Sequence, residues 1–185
     1  MNEEIKKLKH SENWFGFRSF YDIIIEKDYS ICAEIGVWKG HSIIYLAQGY
    51  KKRNIDISIY AIDLFDKWES ENESVKSHIP FIYDIYNENL EDSGVRDIIT
   101  DVKGCSWDVA SQFKDSFFDF VFIDGDHSYS GVCKDINAWL PKVKYGGIIG
   151  GHDYFNANGV KQAVNELIVD FKLLNDSGVW YKEIL

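Results

Sequence analysis

The chain has 185 residues, of which 45% are hydrophobic and 16% aromatic, and its formal net charge at pH 7 is -10. This length and apolar content predict one folded domain with a substantial core, and they argue against intrinsic disorder. The acidic balance repels phosphate backbones and so disfavours a broad nucleic-acid-binding surface, although a small basic patch would be compatible with it.

Apolar residues at helical spacing predict the first helix, over residues 14–27, after a polar and charged start. We interpret it as a helix that covers the sheet or the mouth of the site, with packing ranked above a functional lid. The expected organisation is therefore a polar segment and covering helix in residues 1–28 and the main domain in residues 29–185. No internal repeat and no second domain are indicated.

A glycine turn between a strand and a helix comes next. A short apolar strand over residues 29–35 leads into Gly36 and Gly40, and a helix begins at Ser42. This arrangement brings backbone N–H groups and a helix N-terminus toward a ligand. The spacing is GxxxG, which matches neither the dinucleotide pattern GxGxxG nor the Walker loop. Taken alone, the turn indicates no more than a tight connection.

The second strand, over residues 57–63, ends in an acidic residue, Asp63. In βαβ nucleotide sites, an acid roughly 20 residues after the glycine turn binds the ribose, and Asp63 lies close to that offset. Capping of the next segment is the alternative interpretation, and we rank ribose binding higher.

The most polar stretch, residues 66–80, is predicted to be a loop or a lid. Loops of this length inside a compact domain are usually functional or disordered. The elements predicted after it are a helix, a third strand and a short helix, over residues 81–90, 95–102 and 108–113.

Two later strands each end in acids and a histidine. The fourth strand, residues 118–124, runs into Asp124-Gly125-Asp126-His127, and the fifth strand, residues 148–152, runs into His152-Asp153. In an open parallel α/β sheet, ligands bind at the carboxyl ends of the strands. We therefore expect an enzyme whose site lies at this edge.

The remaining pattern completes the fold class. It consists of a helix over residues 128–140 that ends at Pro141, a turn at 145–147, a helix over 159–169, and a hairpin of strands at 171–174 and 179–184. Strands that alternate with helices predict an α/β fold in three layers, doubly wound and Rossmann-like. Its sheet is expected to be mixed and mainly parallel, with a C-terminal antiparallel β-hairpin.

The cysteines and the first residues indicate the cellular environment that we expect for the protein. Cys32, Cys105 and Cys133 are odd in number and form no CxxC pair, so neither a disulfide framework nor a thiolate zinc site is indicated. The first residues lack the apolar core of a signal peptide, and no segment approaches the roughly 18 apolar residues of a membrane span. We expect a soluble, cytoplasmic protein with no membrane association.

Four segments together resemble a known family. AEIGVWKGHS, IYAIDLF, GCSWDVASQF and FDFVFIDGDHSYSGVCKDINAWLPKVKYGGIIGGHDY resemble the class I S-adenosylmethionine-dependent methyltransferases. The branch they resemble is that of small bacterial methyltransferases with IDGDHSY and GGHDY signatures. More distantly, they are similar to metal-dependent O-methyltransferases that act on sugars of macrolide and aminocoumarin antibiotics. The resemblance covers about residues 29–154 and the hairpin, and it implies a methyltransferase domain that modifies a hydroxyl of a small molecule, sugar or glycan.

The resemblance also implies a cofactor site. In it, the glycine turn approaches the methionine part of S-adenosylmethionine, the acid after the second strand binds the ribose, and residues after the second and third strands flank adenine. An acid after the fourth strand lies beneath the sulfonium. The implied residues are Glu34, Gly36, Gly40, Ser42, Asp63, Leu64, Phe65, Ser106, Trp107 and Asp124.

A divalent metal, Mg²⁺, Mn²⁺ or another ion, is implied at Asp124, His152 and Asp153, with Asp126 as the base. His152 departs from the pattern, since the sugar methyltransferases carry an acid there. A histidine shifts preference from Mg²⁺ toward manganese, iron, nickel or zinc, and it would serve equally well as a metal-free general base. Both interpretations stay open. His127 is the third available proton acceptor. For this residue we slightly prefer another interpretation, in which it starts a helix and contacts only solvent or backbone.

Other classes of function stay open beside the methyltransferase. They are another enzyme on the same scaffold, such as a metal-dependent hydroxylase or a dehydrogenase, and an inactive cofactor-binding interaction module. The absent GxGxxG counts against the dehydrogenase. Mid-helix Asp135 is expected to be a surface or capping charge. A homo-oligomer is compatible with the sequence, with the aromatic N-terminal segment and the hairpin as candidate contact surfaces.

Overall fold

The computed structural model describes residue 9 and residues 14–65, 73–174 and 177–185. The expected polar start, the first part of the polar stretch at residues 66–72 and the hairpin tip at 175–176 lie outside the described residues.

The strands form one sheet in the order β3-β2-β1-β4-β5-β7-β6. The first five strands pair with their neighbours in parallel. The strand β7 pairs antiparallel with both β5 and β6. The bounds are β1 Ile31–Ile35, β2 Ser58–Asp63, β3 Ile99–Lys103, β4 Phe118–Ile123, β5 Val143–Gly151, β6 Lys172–Leu174 and β7 Val179–Glu183. The predicted fold class is confirmed, including the C-terminal antiparallel hairpin.

Helices cover both faces of this sheet. In chain order they are α1 Arg18–Ile25, α2 His41–Arg53, α3 Glu73–Lys76, α4 Ile82–Asp92, α5 Ser106–Val109, α6 Tyr129–Trp139 and α7 Asn158–Leu167. Among the described residues, no helix has the length and apolar character needed to span a bilayer.

The two helical layers follow from alternation along the strands. In β4, Phe120 and Phe122 join one buried cluster with residues of α1, α2 and α4. Val121 and Ile123 join the other, with residues of α5, α6 and α7. Successive strand residues point to opposite faces, and full burial of each such side chain contributes about 1.5–3 kcal/mol. A run of apolar residues in β4 therefore places this strand in the middle of a three-layer core.

The first helix is shorter than the predicted 14–27. Only Arg18–Ile25 is helical, and its apolar face packs on β4 through Phe20 and Tyr21. Residues 14–17 are extended or irregular and lead toward the carboxyl edge of the sheet. Residues 18–25 of the predicted helix thus cover the sheet, and residues 14–17 lie outside the helix.

Three other predicted elements differ in detail. The third strand begins at Ile99 and not at residue 95, because a 3-10 turn, Arg96–Ile98, precedes it, closed by the Arg96 side chain on the Ile99 carbonyl at 2.8 Å. In the polar stretch, residues 73–76 form α3 and a 3-10 turn follows at Ile79–Phe81, so this part is not the predicted loop.

The predicted turn at residues 145–147 lies inside β5. The register between β4 and β5 shifts between the pairs Phe118–Val143 and Phe120–Ile148, so residues 144–147 form a bulge in a strand that already begins at Val143. Gly146 has φ +77°, a conformation that glycine adopts without steric cost. The glycines that suggested a turn between elements are thus a bulge within one strand.

Candidate functional site

The sheet order reverses between β1 and β4, and the chain leaves these neighbouring strands in opposite directions. In doubly wound folds the crevice at such a point, at the carboxyl ends of the strands, is the ligand site. A cavity of about 1010 Å³ opens here. Of the predicted site residues, those that line it are Gly36, Ser42, Asp63, Leu64, Ser106, Trp107, Asp124, Asp126, His127, His152 and Asp153.

Gly36 allows the loops after β1 and β4 to touch. Its φ is +82°, and a Cβ at this position would lie 2.3 Å from the Asp124 carbonyl oxygen. Any side chain would therefore push apart the two strand ends that form the crevice. The glycine of the motif is required by this close approach as well as by the backbone conformation.

Asp63 shapes the glycine turn from the neighbouring strand. Its Oδ2 accepts hydrogen bonds from the backbone N–H groups of Val37 at 2.8 Å and Trp38 at 3.2 Å, and its Oδ1 accepts from Phe65 at 2.7 Å. Burial raises the pKa of this carboxyl above its usual value, and the backbone N–H donors around it oppose the rise. The local capping role is therefore real, and Asp63 lines the cavity at the same time.

Three implied cofactor residues do not line the cavity. Gly40, with φ +82°, immediately precedes α2 and lies beside the Tyr86 ring. Phe65 is fully buried against Tyr83 and Tyr86. Both therefore act in packing here. Their direct part in cofactor binding stays a prediction.

Glu34 is the third of these residues and forms a buried link behind the glycine turn. Tyr21 donates a hydrogen bond to Glu34 Oε2 at 2.7 Å, and Ser42 donates to Oε1. Burial raises the pKa of Glu34 to about 8, although both hydroxyl donors favour the ionised form. In this arrangement Glu34 ties α1 to the first turn of α2 and holds Ser42 at the cavity wall.

Acids and histidines from β4 and β5 converge at one end of the cavity. Among the described residues, Asp124, His152 and Asp153 place one ligand atom each within 4.8 Å of one another. Nδ1 of His152 lies 3.3 Å from Oδ2 of Asp153. Nε2 of His127 lies 3.3 Å from that same oxygen and 3.6 Å from Oδ1 of Asp124. The preferred interpretation of His127, a residue that contacts only solvent or backbone, is wrong.

In this cluster, the carboxylates favour the protonated histidines, and the histidines favour the ionised form of Asp153. The neighbouring Asp124 carboxylate, followed by the charges of Asp153 and Asp126, raises the pKa of His127. Burial lowers the pKa of His152, but Asp153 and Asp124 outweigh it, and the pKa is raised overall. The hydrogen bond with His152 lowers the pKa of Asp153 to about 2. Asp153 is thus an anion at any physiological pH.

The donor set fits a divalent metal ion. Nε2 of His152 lies 2.9 Å from the Ser177 carbonyl, which only accepts, so Nε2 carries an N–H. A metal ion would take the place of the Nδ1 proton that faces Asp153. A metal-binding histidine usually donates its other N–H to a carbonyl or carboxylate in this way. Two carboxylates and one imidazole suit manganese, iron, nickel or zinc, and the oxygens also suit magnesium.

Asp126 is held in the turn that starts α6. Its Oδ1 accepts from the Ser128 N–H at 2.8 Å, and a Cβ on Gly131 would lie 2.2 Å from its Oδ2. The absence of a side chain at Gly131 therefore makes room for this carboxylate. Asp126 is exposed and lines the cavity.

Asp135 was expected to be a surface or capping charge, and that expectation is wrong. The residue is 1% exposed, lines the cavity and accepts a hydrogen bond from Ser106. The signal was present in the helical spacing, since Val132, Ile136 and Trp139 form the buried face of α6 and position 135 belongs to it. Ser106 itself lies in the first turn of α5, two residues before the predicted helix start.

The mouth of the cavity is aromatic, which the sequence pattern did not reveal. Trp14 stacks on Trp38 with ring centroids 5.2 Å apart, and Phe17 packs on the His152 ring at 4.4 Å. All three aromatic residues line the cavity. Trp14 and Phe17 fall within the predicted helix over residues 14–27, and Trp38 lies in the glycine turn after β1; their large aromatic side chains are the only signal that points to them.

Known proteins share this architecture. An O-methyltransferase, NovP, matches with a TM-score of 0.70 and 15% identity over 99% of this chain and 80% of its own. The SAH-bound methyltransferase PaMTH1 of Podospora anserina matches with a TM-score of 0.70 and 14% identity over 100% and 89%. At these identities the likeness concerns the fold.

Sequence comparison gives the family. The uncharacterized protein R132 of Acanthamoeba polyphaga mimivirus is 30% identical over 90% of this chain and 76% of its own length. The family model described as "Methyltransferase domain" matches residues 33–154, which span β1 to the end of the acid–histidine cluster. The chain therefore belongs to the methyltransferase domain family.

Proposed function

We propose that the protein transfers a methyl group from S-adenosylmethionine to a hydroxyl of a small molecule, sugar or glycan. The observation that supports this best is a row of groups along one cavity, in the order of the strands: Asp63 at the end of β2, Gly36 after β1, Asp124 after β4 and Asp153 after β5. Neighbouring strands lie about 4.8 Å apart, so the row spans roughly 15 Å. That length suits a nucleoside joined to an amino acid.

The cofactor would lie along this row. A carboxylate offers about four lone-pair sites, so the three N–H groups bound to Asp63 leave acceptor capacity for a ribose hydroxyl. The glycine turn after β1 would receive the methionine part, and Ser106 and Trp107 would flank adenine. PaMTH1, which shares this fold, is SAH-bound.

Methyl transfer is an in-line displacement. The acceptor oxygen forms a bond to the methyl carbon while the carbon–sulfur bond breaks, and the sulfur keeps that electron pair and becomes a neutral thioether. The hydroxyl proton must pass to a base, because a neutral hydroxyl is a poor nucleophile. Asp126 is the proposed base. His127 and His152 are the alternative proton acceptors on the same wall.

Asp124, His152 and Asp153 would hold a divalent cation. When bound, such an ion supplies Lewis-acid charge that lowers the pKa of an acceptor hydroxyl. Other residues of the chain orient these candidate ligands. The Ser177 carbonyl fixes the His152 ring, and the Asn156 amide donates a hydrogen bond to Asp153 Oδ1 at 3.2 Å.

The acceptor would enter beside the aromatic mouth. Trp14, Phe17 and Trp38 give this end of the cavity a flat apolar wall next to the acid–histidine cluster. Sugars and phenols both combine a flat apolar face with hydroxyl groups, so they are the acceptor classes to test first.

Isothermal titration with S-adenosylmethionine and with NAD tests the proposal. We expect one molecule of S-adenosylmethionine to bind per chain and NAD not to bind. Release of S-adenosylhomocysteine is then followed with a panel of nucleotide sugars and phenols, with and without Mn²⁺. Binding of NAD alone would favour a dehydrogenase, and binding of neither compound would refute the proposed function.

A further inference from the structure

The imidazole of His152 is held by two segments that are far apart in the sequence. Phe17, the residue immediately before α1, packs its ring on the His152 ring, with centroids 4.4 Å apart and planes inclined at 32°. From the segment before β7, the Ser177 carbonyl lies 2.9 Å from Nε2 of the same imidazole. Two contacts of different kinds therefore meet on one candidate metal ligand.

These two contacts restrain different motions of the ring. A histidine ring turns about a torsion with broad energy wells, so the side chain alone does not fix the ring plane. The hydrogen bond at Nε2 fixes the position of one ring atom. The flat face of Phe17 limits the tilt of the whole ring, because van der Waals contact across the face is lost when the plane turns. The direction of Nδ1 therefore depends on Phe17 as well as on Ser177.

Phe17 is itself firmly placed. It is 3% exposed, and its ring packs on Phe122 of β4 and on Tyr21 of α1, with centroids 5.2 and 5.7 Å away. Its carbonyl accepts a hydrogen bond from the Phe20 N–H at 3.1 Å, in the first turn of α1. The His152 ring is thus supported, through Phe17, by the strand in the middle of the core.

We propose that Phe17 is a positioning residue that directs Nδ1 of His152 at a bound divalent ion and so sets which ion the site prefers. This role rests on the proposed function, in which Asp124, His152 and Asp153 hold the ion. Nickel binds imidazole strongly, whereas manganese is suited by carboxylate oxygens and water. A misdirected imidazole should therefore weaken nickel binding much more than manganese binding.

The alternative role of Phe17 is to fill the core beside β4 and nothing more. Loss of its ring would then lower stability, and it would loosen the whole acid–histidine cluster or leave it unchanged. In either case the affinities for the two ions would change together. The ratio of these affinities is therefore the measurement that separates positioning from packing.

Titration calorimetry, on protein without a polyhistidine tag, measures the affinities for Ni²⁺ and Mn²⁺. Phe17→Leu keeps an apolar side chain but removes the flat face. Its Ni²⁺ affinity should fall by about tenfold to hundredfold, the range typical of a lost contact to a metal ligand, while its Mn²⁺ affinity stays within about threefold. Phe17→Met, with the same expectation, is a second variant in case the first does not fold.

Phe20→Leu is the matched control. Phe20 is fully buried on the same helix and packs on Phe120 and Phe122 of β4. This variant loses an aromatic ring from the same core, so its melting temperature should fall. Its affinities for both ions should remain those of the wild-type protein.

A second comparison tests whether Phe17 acts through His152. His152→Ala removes the imidazole and should lower the Ni²⁺ affinity by itself. When Phe17→Leu is added to His152→Ala, the Ni²⁺ affinity should change by less than about twofold, because the group that Phe17 positions is already absent. A loss of the same size with and without His152 would overturn the positioning role.

Thermal unfolding of each variant checks that it is folded. Equal losses for the two ions in Phe17→Leu, or no loss for either, would overturn the positioning role while leaving the proposed methyl transfer intact. Wild-type protein that binds Mn²⁺ but not Ni²⁺ would do the same, since the imidazole would then not be a ligand. Binding of neither ion refutes the metal site and the positioning role together, and a parallel titration with S-adenosylmethionine shows whether the proposed methyltransferase persists without them.

Discussion

Nε2 of His127 lies 3.3 Å from Oδ2 of Asp153. The two residues follow different strands, β4 and β5, so their contact exists only once these strands are paired. The same carboxylate oxygen is 3.3 Å from Nδ1 of His152. One acid thus organises both histidines, and its replacement is the most direct test of the cluster.

The first prediction concerns a metal ion. Asp153→Asn should lower the affinity for Mn²⁺ by about tenfold to hundredfold, since a charged ligand and the anchor of His152 are lost together. Asparagine tolerates the left-handed backbone of Asp153, φ 58°, so the fold should persist. Mn²⁺ binding is measured by titration calorimetry. Asp170→Asn, at an exposed position with φ 56°, is the matched control.

Chelation gives the corresponding activity test. EDTA should abolish turnover with an accepted substrate, and one divalent ion should restore it. Full activity in the presence of EDTA would contradict metal assistance. Deprotonation of the acceptor would then depend on Asp126 or a histidine alone.

The second prediction separates the base from the cofactor site. Asp126→Asn retains an oxygen that can accept from the Ser128 N–H, so the turn should keep its shape. The rate should fall by about 10² or more, as expected on removal of a general base, while the affinity for S-adenosylmethionine stays within about twofold. Single-turnover rates and titration calorimetry measure the two quantities. Loss of affinity at an unchanged rate would move Asp126 to the binding residues.

The third prediction concerns the contact between the loops after β1 and β4. Gly36→Ala should destabilise the fold by about 1–3 kcal/mol more than Gly94→Ala, because overpacking against a backbone carbonyl forces the strands apart. Both glycines have positive φ, and a Cβ at Gly94 meets no atom within 4 Å, so this control carries only the backbone strain. Chemical denaturation measures the difference. Equal losses in the two variants would show that the Asp124 carbonyl yields easily.

The fourth prediction is a pH dependence of stability from Glu34. Its pKa is about 8 in the folded protein and about 4.5 as a free side chain. Between these values the folded state holds a proton that the unfolded state has released, so the free energy of unfolding should fall as the pH rises from about 5 to 8. Below this window both states are protonated, and above it both are ionised.

Glu34→Gln should flatten this profile, because a neutral amide replaces the titrating group. Denaturant unfolding at several pH values measures it, with Glu91→Gln at an exposed position as the control. Parallel profiles for wild type and Glu34→Gln would mean that the Tyr21 and Ser42 hydroxyls keep the carboxylate ionised in the folded state.

The sequence pattern was most informative where one local signal decides the structure. Apolar runs that stop at acids located the carboxyl ends of β2, β4 and β5, and these ends do meet along one cavity. It was least informative where tertiary contacts decide. The glycines at 146 and 147 suit a turn or a bulge equally well, and only pairing with β4 makes them a bulge.

Asp135 illustrates the second kind of limit. A charged residue on a helix is usually solvated, so its place on the buried face of α6 was outweighed by its charge. Only the partner from another element, Ser106, makes its burial understandable. The His127 contact with Asp153 was missed for a related reason, because it depends on how two loops face each other across neighbouring strands.

The Asp63 carboxylate has a consequence for how ligand fragments should cooperate. The group proposed to hold a ribose also fixes the backbone N–H groups of Val37 and Trp38, in the turn proposed to hold an amino acid. The two halves of the crevice are therefore preorganised by one side chain, and their ordering is completed on folding and not on ligand entry. Adenosine and methionine added as separate molecules should bind to a rigid frame almost independently. The link between them in the intact cofactor would then strengthen binding chiefly by raising the effective concentration of one half beside the other.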